Sequence, residues 1–429
     1  MAESTQSVTA ALPEQKSLTK DSVVSTSVIG AHTLEHYYAN SFPVLVAAMY
    51  TDLGLVPIQA GILSAVRMLA GGVTGTLGGF FVDIFRHRTA QVLAVSMALI
   101  ALGYFLVSIS PTYGFILVAL SIASAGSALW HPPALGLLAR RFPRRRGLFI
   151  SLHRSMGNVG DWIGPIIAGA LLSGVFFLGI RVAPLSWRMI LGGGTPILLL
   201  LAVVLLIILR NLGEARTDSQ PVANRFKLQL GGLRESFRGA GMWSIFSVSA
   251  IRGMADRGIV WLLPLYLADE LDKSFAWIGV HQALLVAPGV VAGPIFGILS
   301  DYIGRKSLTI FFMAISVLLT LGMIFGNGGI MLTLSVALFG VFHYSVSSLT
   351  QAAAIDHAEG RGLEATFLGL MWGSNTLFGA GSLIAIFWVV GVWGWAPAFY
   401  ATAGLFFVGF LVALLMPAGR PRARRAYAR

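Results

Sequence analysis

His32, Glu35 and His36 lie inside residues 23–50, an apolar run long enough to cross a bilayer. The spacing i, i+3, i+4 places all three on one face of a helix. Ionisable groups at that depth cost roughly a few kcal/mol each, so they must face a partner, a bundle interior or water. Imidazole exchanges protons near neutral pH, so a proton relay through Glu35, His32 and His36 is one chemistry open to this face. A second is a divalent metal, because two imidazoles and a carboxylate suit zinc, iron or manganese. The order His-x-x-Glu-His is also that of an inverted zinc-protease motif. A transmembrane setting and the lack of an evident third ligand argue against that enzyme. A hydrogen-bonded cluster that only positions helices is the plainest alternative.

Further polar residues punctuate the other apolar runs. Asp161 and Asp256 are carboxylates at mid-run and join the proton-coupling candidates. Arg154, Asn158 and Asp161, at i, i+4 and i+7, share a face, so Arg154 and Asp161 either pair or reach the first-run cluster. His131 precedes Pro132 and Pro133, which free backbone carbonyls; it either donates to one of them or lines a cavity. His343 holds the corresponding place in the second half. Arg67 stands alone in its run, whereas Arg252 and Asp256 are spaced for an ion pair, with Arg257 beside them. The surplus of positive charge suits an anionic substrate. Tyr38, Asn158, Gln351 and Asn375 complete the candidate substrate cavity with aromatic and amide groups. Trp187, Trp393 and Trp395 are read as an aromatic belt at the membrane interface.

These residues need elements to hold them, and the composition says which. The chain of 429 residues is 56% hydrophobic and 11% charged, with a mean hydropathy of +0.79. A soluble domain carries roughly 25% charged residues. Twelve runs are long enough to span a bilayer: 23–50, 57–81, 89–109, 112–139, 147–176, 188–210, 241–268, 275–299, 306–326, 329–355, 363–390 and 395–416. The expectation is an all-α membrane protein of twelve transmembrane helices in two six-helix bundles, 23–210 and 241–416. A polar cytoplasmic linker, 211–240, joins them. Residues 1–22 read as a flexible cytoplasmic tail without the features of a signal peptide. Residues 417–429 read as a basic cytoplasmic tail.

Alternate loops differ in charge. One set carries Arg86, His87, Arg88, the Arg140 to Arg146 cluster, the linker, Arg305 with Lys306, and Arg361; the other carries Asp52, Arg181, Asp269, Glu270, Asp272 and Lys273. The basic set marks the cytoplasmic side, which places both termini inside; a bacterial inner (plasma) membrane is the expected location. The formal net charge of +12 is therefore topological, and no nucleic-acid partner is expected. No Cys is present, so disulfides and thiolate metal sites are excluded. No phosphate-binding loop or nucleophile triad is evident, so neither an enzyme nor an ATP-driven pump is expected, and no cofactor.

The halves echo one another. Gly79, Asp83 and Arg86 to Arg88 follow the second run, and Gly297, Asp301, Gly304, Arg305 and Lys306 follow the eighth. The second copy matches G-x-x-x-D-x-x-G-R-K, a pattern of the major facilitator superfamily, which the whole chain resembles. In the first copy Arg86 replaces the glycine. Within that superfamily the chain resembles the fosmidomycin-resistance-like branch. The resemblance rests on His32 ahead of Pro43, on Ala128-Leu129-Trp130-His131-Pro132, and on Gly157-Asn158-Val159-Gly160 with Gly164-Pro165. Glu35-His36 departs from that branch's Asn-Asp pair. The resemblance implies proton-coupled efflux of a small amphipathic or anionic organic compound by alternating access, with the substrate between the halves. It also implies a cytoplasmic gate made by Asp83, Arg88, Asp301, Arg305 and Lys306. Gly160, Gly164 and Pro165 resemble the fifth-helix motif of antiporters. The alternatives are uptake, transport of a divalent metal through His32, Glu35 and His36, and a non-transporting sensor or assembly factor. A monomer in the lipid bilayer is expected, with a small molecule or ion and protons as partners.

Overall fold

The computed structural model describes residues 14–84, 88–177, 179–210, 234–235, 237–357 and 364–418. The first half contains α1 (Glu14–Leu53), α2 (Pro57–Ile84), α3 (Thr89–Ser108), α4 (Tyr113–Arg141), α5 (Arg146–Ser173) and α6 (Trp187–Leu209). A short hairpin, β1 (Val175–Phe177) with β2 (Ile180–Val182), links α5 to α6. The second half contains α7 (Ala240–Asp269), α8 (Phe275–Leu284), α9 (Ala287–Ile303), α10 (Arg305–Phe325), α11 (Ile330–His357), α12 (Glu364–Trp393) and α13 (Trp395–Ala413). Helices α8 and α9 form one span, so the chain crosses twelve times in two bundles of six. The break falls at Leu285 and Val286, just before Pro288 in the first turn of α9. Proline lacks the donor and clashes with the preceding turn, so the helix restarts there.

Two expected boundaries move. The tail 1–22 is helical from Glu14 on, as a continuation of α1, and Asp21 there pairs with Arg141 at 2.5 Å. Most of the linker 211–240, residues 1–13 and residues 419–429 lie outside the described residues.

Eight of the described spans are apolar enough along their length to cross a membrane on hydropathy alone. The four outside that set are α1, α2, α5 and α7, and all four carry the ionisable side chains singled out above. Polar groups are thus concentrated on helices that have neighbours to receive them. Within the first half α1 packs on α5, and α3 on α4 and α6. Within the second, α7 packs on α12 and α13, and α10 on α11 and α13. Small residues let the backbones approach: a Cβ at Gly160 would meet the Thr33 carbonyl of α1, and one at Gly103 would meet the Ala123 backbone of α4.

The halves touch through α2 against α12, α5 against α8 and α1 against α7. Close backbone contacts between them lie at the end that carries Asp52 and Asp269. A Cβ at Gly169 would meet the Phe275 carbonyl, one at Gly279 the Pro165 carbonyl, and one at Gly61 the Leu383 carbonyl. The Ala276 amide also donates to Ser173 Oγ across this seam at 2.8 Å. Thr112, Ser186 and Ser274 cap α4, α6 and α8 by accepting from the amides of Phe115, Met189 and Trp277. Each half is pinned at this end in the same way. Trp187 donates its indole N–H to Asp52 Oδ2 at 2.8 Å, and Trp395 donates to Asp269 Oδ2 at 3.0 Å. These tryptophans are buried, so their place is helix pinning and not the exposed belt read from the sequence.

At the basic end, Gly304 joins α9 to α10 with φ +94° and ψ 140°. That backbone region is open to glycine and costly for other residues, which explains the glycine of the second loop motif. The replacement by Arg86 in the first copy lies outside the described residues.

Candidate functional site

Helices α1, α4 and α5 converge on a cluster of histidines and carboxylates. His32 and Glu35 are 3% and 2% exposed, and His153 of α5 is 1% exposed. Glu35 Oε2 lies 3.8 Å from His32 Nδ1, 3.5 Å from His36 Nε2 and 3.8 Å from His131 Nε2. His36 Nε2 and His131 Nε2 are 3.4 Å apart. One donor atom from each of His32, Glu35, His36 and His131 falls within 4.8 Å of every other.

The outer atoms of this cluster are held from behind. His36 Nδ1 lies 2.6 Å from Asp161 Oδ1, which also accepts from the Asn40 amide. His131 Nδ1 lies 3.1 Å from the Ser127 carbonyl. The Ser127 hydroxyl donates to Glu35 Oε1. Glu35 Oε2 and His32 Nδ1 are buried without a hydrogen-bond partner. The His153 ring packs on His32 with centroids 3.6 Å apart, and a Cβ at Gly157 would lie 2.6 Å from His32 Nε2. The local sequence accounts for the fit: Gly157, Gly160 and Gly164 leave room for α1 beside this face of α5.

The second half repeats the theme with other residues. Arg252 and Asp256 of α7 form the expected ion pair at 2.6 Å. His343 of α11 lies 3.4 Å from the other Asp256 oxygen, and its carbonyl accepts from Arg252 at 3.3 Å. In each half, then, the histidine of the fourth span faces a carboxylate of the first.

Arg67 of α2 is half-buried and donates to the Ala39 carbonyl at 2.8 Å. Its guanidinium lies over Phe42 of α1 at 5.3 Å and over Trp261 of α7 at 5.7 Å, so it sits where the two halves meet. No carboxylate pairs with Arg67 among the described residues. Arg257 is exposed, and a Cβ at Gly379 of α12 would meet both Arg257 Cγ at 3.2 Å and Met68 Cε at 3.0 Å. Arg257 therefore borders the same α2, α7 and α12 junction.

Other sequence candidates fall apart from these groups. Tyr38 is packed between helices. It is 6% exposed, packs on Tyr37 and Tyr104, and its hydroxyl abuts Gly194 of α6. Two residues along a helix turn the side chain by about 200°, so Tyr38 cannot share the face of His36. Asp161 pairs with His36 and not with Arg154, which is exposed, while Asn158 is half-buried. Gln351 bonds within its own helix to Ser347 Oγ at 2.9 Å, and Asn375 reaches Ser249 Oγ at 3.5 Å. Among the expected gate residues, Arg305 lies 3.6 Å from Asp301 and 2.7 Å from Asp356. Both partners belong to the second half. Arg88 is exposed at the start of α3 and Lys306 is partly buried in α10; the Asp83 side chain lies outside the described residues.

Three members of the cluster were not singled out from the sequence: His153, Ser127 and Asn40. Each had a signal. His153 precedes Gly157, Gly160 and Gly164 at helical spacing, on the face that must contact another helix. Ser127 and Asn40 are four residues from His131 and His36.

Twelve spans in two matched bundles, with a polar junction between them, are the plan of the two-bundle class of membrane transport proteins. The sequence profile of the Major Facilitator Superfamily matches residues 36–380 and, in a second match, 245–429. The chain belongs to this superfamily. It is 24% identical over 153 residues to the fosmidomycin resistance protein of Escherichia coli K12, covering 35% of this chain and 37% of that one. It is 24% identical over 272 residues to a probable nitrate/nitrite antiporter, NarK1, of Thermus thermophilus, covering 62% of this chain and 58% of that one. The fold resembles that of a bacterial homolog of the human lysosomal transporter Spinster in an inward-facing, unoccupied conformation. The TM-score is 0.76 at 14% identity, covering 92% of this chain and 98% of the other.

Proposed function

We propose that this protein is a secondary active transporter that works by alternating access and exports a small anionic organic compound. The observation that carries the reading is Arg67, a half-buried cation at mid-helix between Phe42 and Trp261, with no carboxylate paired to it among the described residues. A guanidinium at membrane depth calls for a counter-charge, and a bound anion would supply one in bidentate geometry. Arg257 at the same junction adds a second positive charge, and the flanking aromatic faces suit an organic body. The basic loops place the end opposite the Asp52 and Asp269 seam, and both termini, on the cytoplasmic side. The cluster on α1, α4 and α5 holds the coupling cation. Export draws support from the names of the relatives, which include the E. coli fosmidomycin resistance protein and the multidrug resistance protein MdtH of Shigella dysenteriae; the NarK1 name supports an anion.

The test is counterflow in proteoliposomes loaded with labelled organic carboxylates and phosphate esters, with neutral and cationic compounds as controls. Anion flux is expected in the wild type, to be lost in Arg67→Gln and partly kept in Arg67→Lys. Flux of a neutral compound that Arg67→Gln leaves unchanged would overturn the reading.

A further inference from the structure

We propose that His32, Glu35, His36 and His131 form a binding site for a divalent transition-metal ion of the zinc and iron class. The acceptors behind two of the rings fix their hydrogen positions. The Ser127 carbonyl can only accept, so His131 Nδ1 carries the hydrogen of their 3.1 Å bond. The Asp161 carboxylate likewise receives the hydrogen on His36 Nδ1 at 2.6 Å. Both Nε2 atoms then present lone pairs, and they face each other at 3.4 Å. Glu35 brings a third acceptor, Oε2, to 3.5 Å and 3.8 Å from them. His32 Nδ1 closes the group at 3.8 Å from the same oxygen. Acceptors that converge in this way, with Glu35 Oε2 and His32 Nδ1 buried and without a hydrogen-bond partner, are satisfied by a cation placed among them once His32 presents its Nδ1 lone pair.

The spacing fits a metal. Ligand bonds of about 2.0–2.1 Å in tetrahedral geometry place donor atoms about 3.3 Å apart. The distances of 3.4–3.8 Å from Glu35 to the three imidazoles and between His36 and His131 need a contraction of a few tenths of an ångström, and the other pairs, which lie within 4.8 Å, need a contraction of up to about 1.5 Å as His32 moves in. The donor set, imidazole with one carboxylate, suits zinc, iron, cobalt or nickel more than magnesium or calcium. Outer partners of the kind metal ligands carry are already in place: Asp161 behind His36, and Ser127 behind both His131 and Glu35. The two carboxylates, Glu35 and Asp161, balance a dipositive ion. Arg67 supplies none of these donor atoms, so metal binding stands whether or not an anion is the cargo.

The test uses full-length protein without a polyhistidine tag, stripped with a chelator and titrated in detergent with Co²⁺ and Zn²⁺. The expected result is one ion per chain by elemental analysis, with visible d–d absorption of four-coordinate Co²⁺. His131→Gln and Glu35→Gln should each weaken binding by about 100-fold or more, and Asp161→Asn by about 10–100-fold. His281→Ala, in the other half, should leave it unchanged. Because variants at a buried site can fail to fold, the wild type alone supplies a second arm: Zn²⁺ should raise its Tm and Mg²⁺ should not. A monodisperse wild type with neither stoichiometric binding nor a Zn²⁺-dependent Tm shift overturns the proposal, as does unchanged binding in a folded His36→Gln, His131→Gln double variant. Arg67→Gln separates the two readings, since it should lose anion flux and keep the metal.

Discussion

His36 Nδ1 meets Asp161 Oδ1 at 2.6 Å, and this bond ties the first span to the fifth in the middle of the first bundle. Asp161 also accepts from Asn40, so two donors on α1 depend on one carboxylate of α5. Asp161→Ala should therefore destabilise the protein by about 1.5–3 kcal/mol, the range for a hydrogen bond to a charged group. The loss should show as a lower unfolding midpoint in detergent. His36→Ala in the Asp161→Ala background should cost less than His36→Ala alone, because the bond is already gone. Strict additivity of the two would show that the contact contributes nothing to stability.

The paired tryptophan bonds make a second prediction. Trp187 to Asp52 and Trp395 to Asp269 pin the same corner of each half. A Phe at either position keeps most of the ring packing and removes the donor. Trp187→Phe and Trp395→Phe should each lower stability by about 1–3 kcal/mol, and the double variant should show their sum, since the bonds share no residue. Thermal unfolding followed by tryptophan-independent light scattering would measure this. A cost in one half alone would break the equivalence drawn between the halves.

The seam between α5 and α8 supplies a third. Gly169 and Gly279 let the two backbones meet, and a Cβ at either would collide with a carbonyl of the facing helix. Gly169→Leu should part the halves at this end and shift the population away from the form closed there. The chain has no Cys, so Ser173→Cys, beside the seam, gives a single thiol. Its reaction with a membrane-impermeant maleimide should rise several-fold in the Gly169→Leu background. An unchanged rate would mean that the seam does not set the closed state.

Much of this architecture was legible in the sequence because membrane helices announce themselves by length and hydropathy. The spans, the split into halves and the repeated loop motif follow from those signals. The face of His32, Glu35 and His36 was legible too, since i, i+3 and i+4 are fixed by helix geometry alone. What that face meets was not. The partnership of His36 with Asp161, and the carbonyl behind His131, depend on how α1, α4 and α5 are rotated against one another. Spacing within one helix says nothing of that rotation. Tyr38 shows the converse: its type suggested a substrate contact, while its position two residues after His36 already pointed it elsewhere.

The loop motif at the basic end yields the last prediction, in which backbone and charge separate. Gly304 holds φ +94° and ψ 140° between α9 and α10, a region where a non-glycine residue costs about 1–3 kcal/mol. Beside it, Arg305 bonds Asp356 at 2.7 Å, with the Asp356 side chain 45% exposed. A pair that exposed contributes about 0–1 kcal/mol and is screened by salt. Gly304→Ala should thus lower the unfolding midpoint clearly, and Asp356→Asn hardly at all. Raising the ionic strength should erase the Asp356→Asn difference and leave that of Gly304→Ala intact. If the order were reversed, the motif would owe its effect to the charges and not to the turn that carries them.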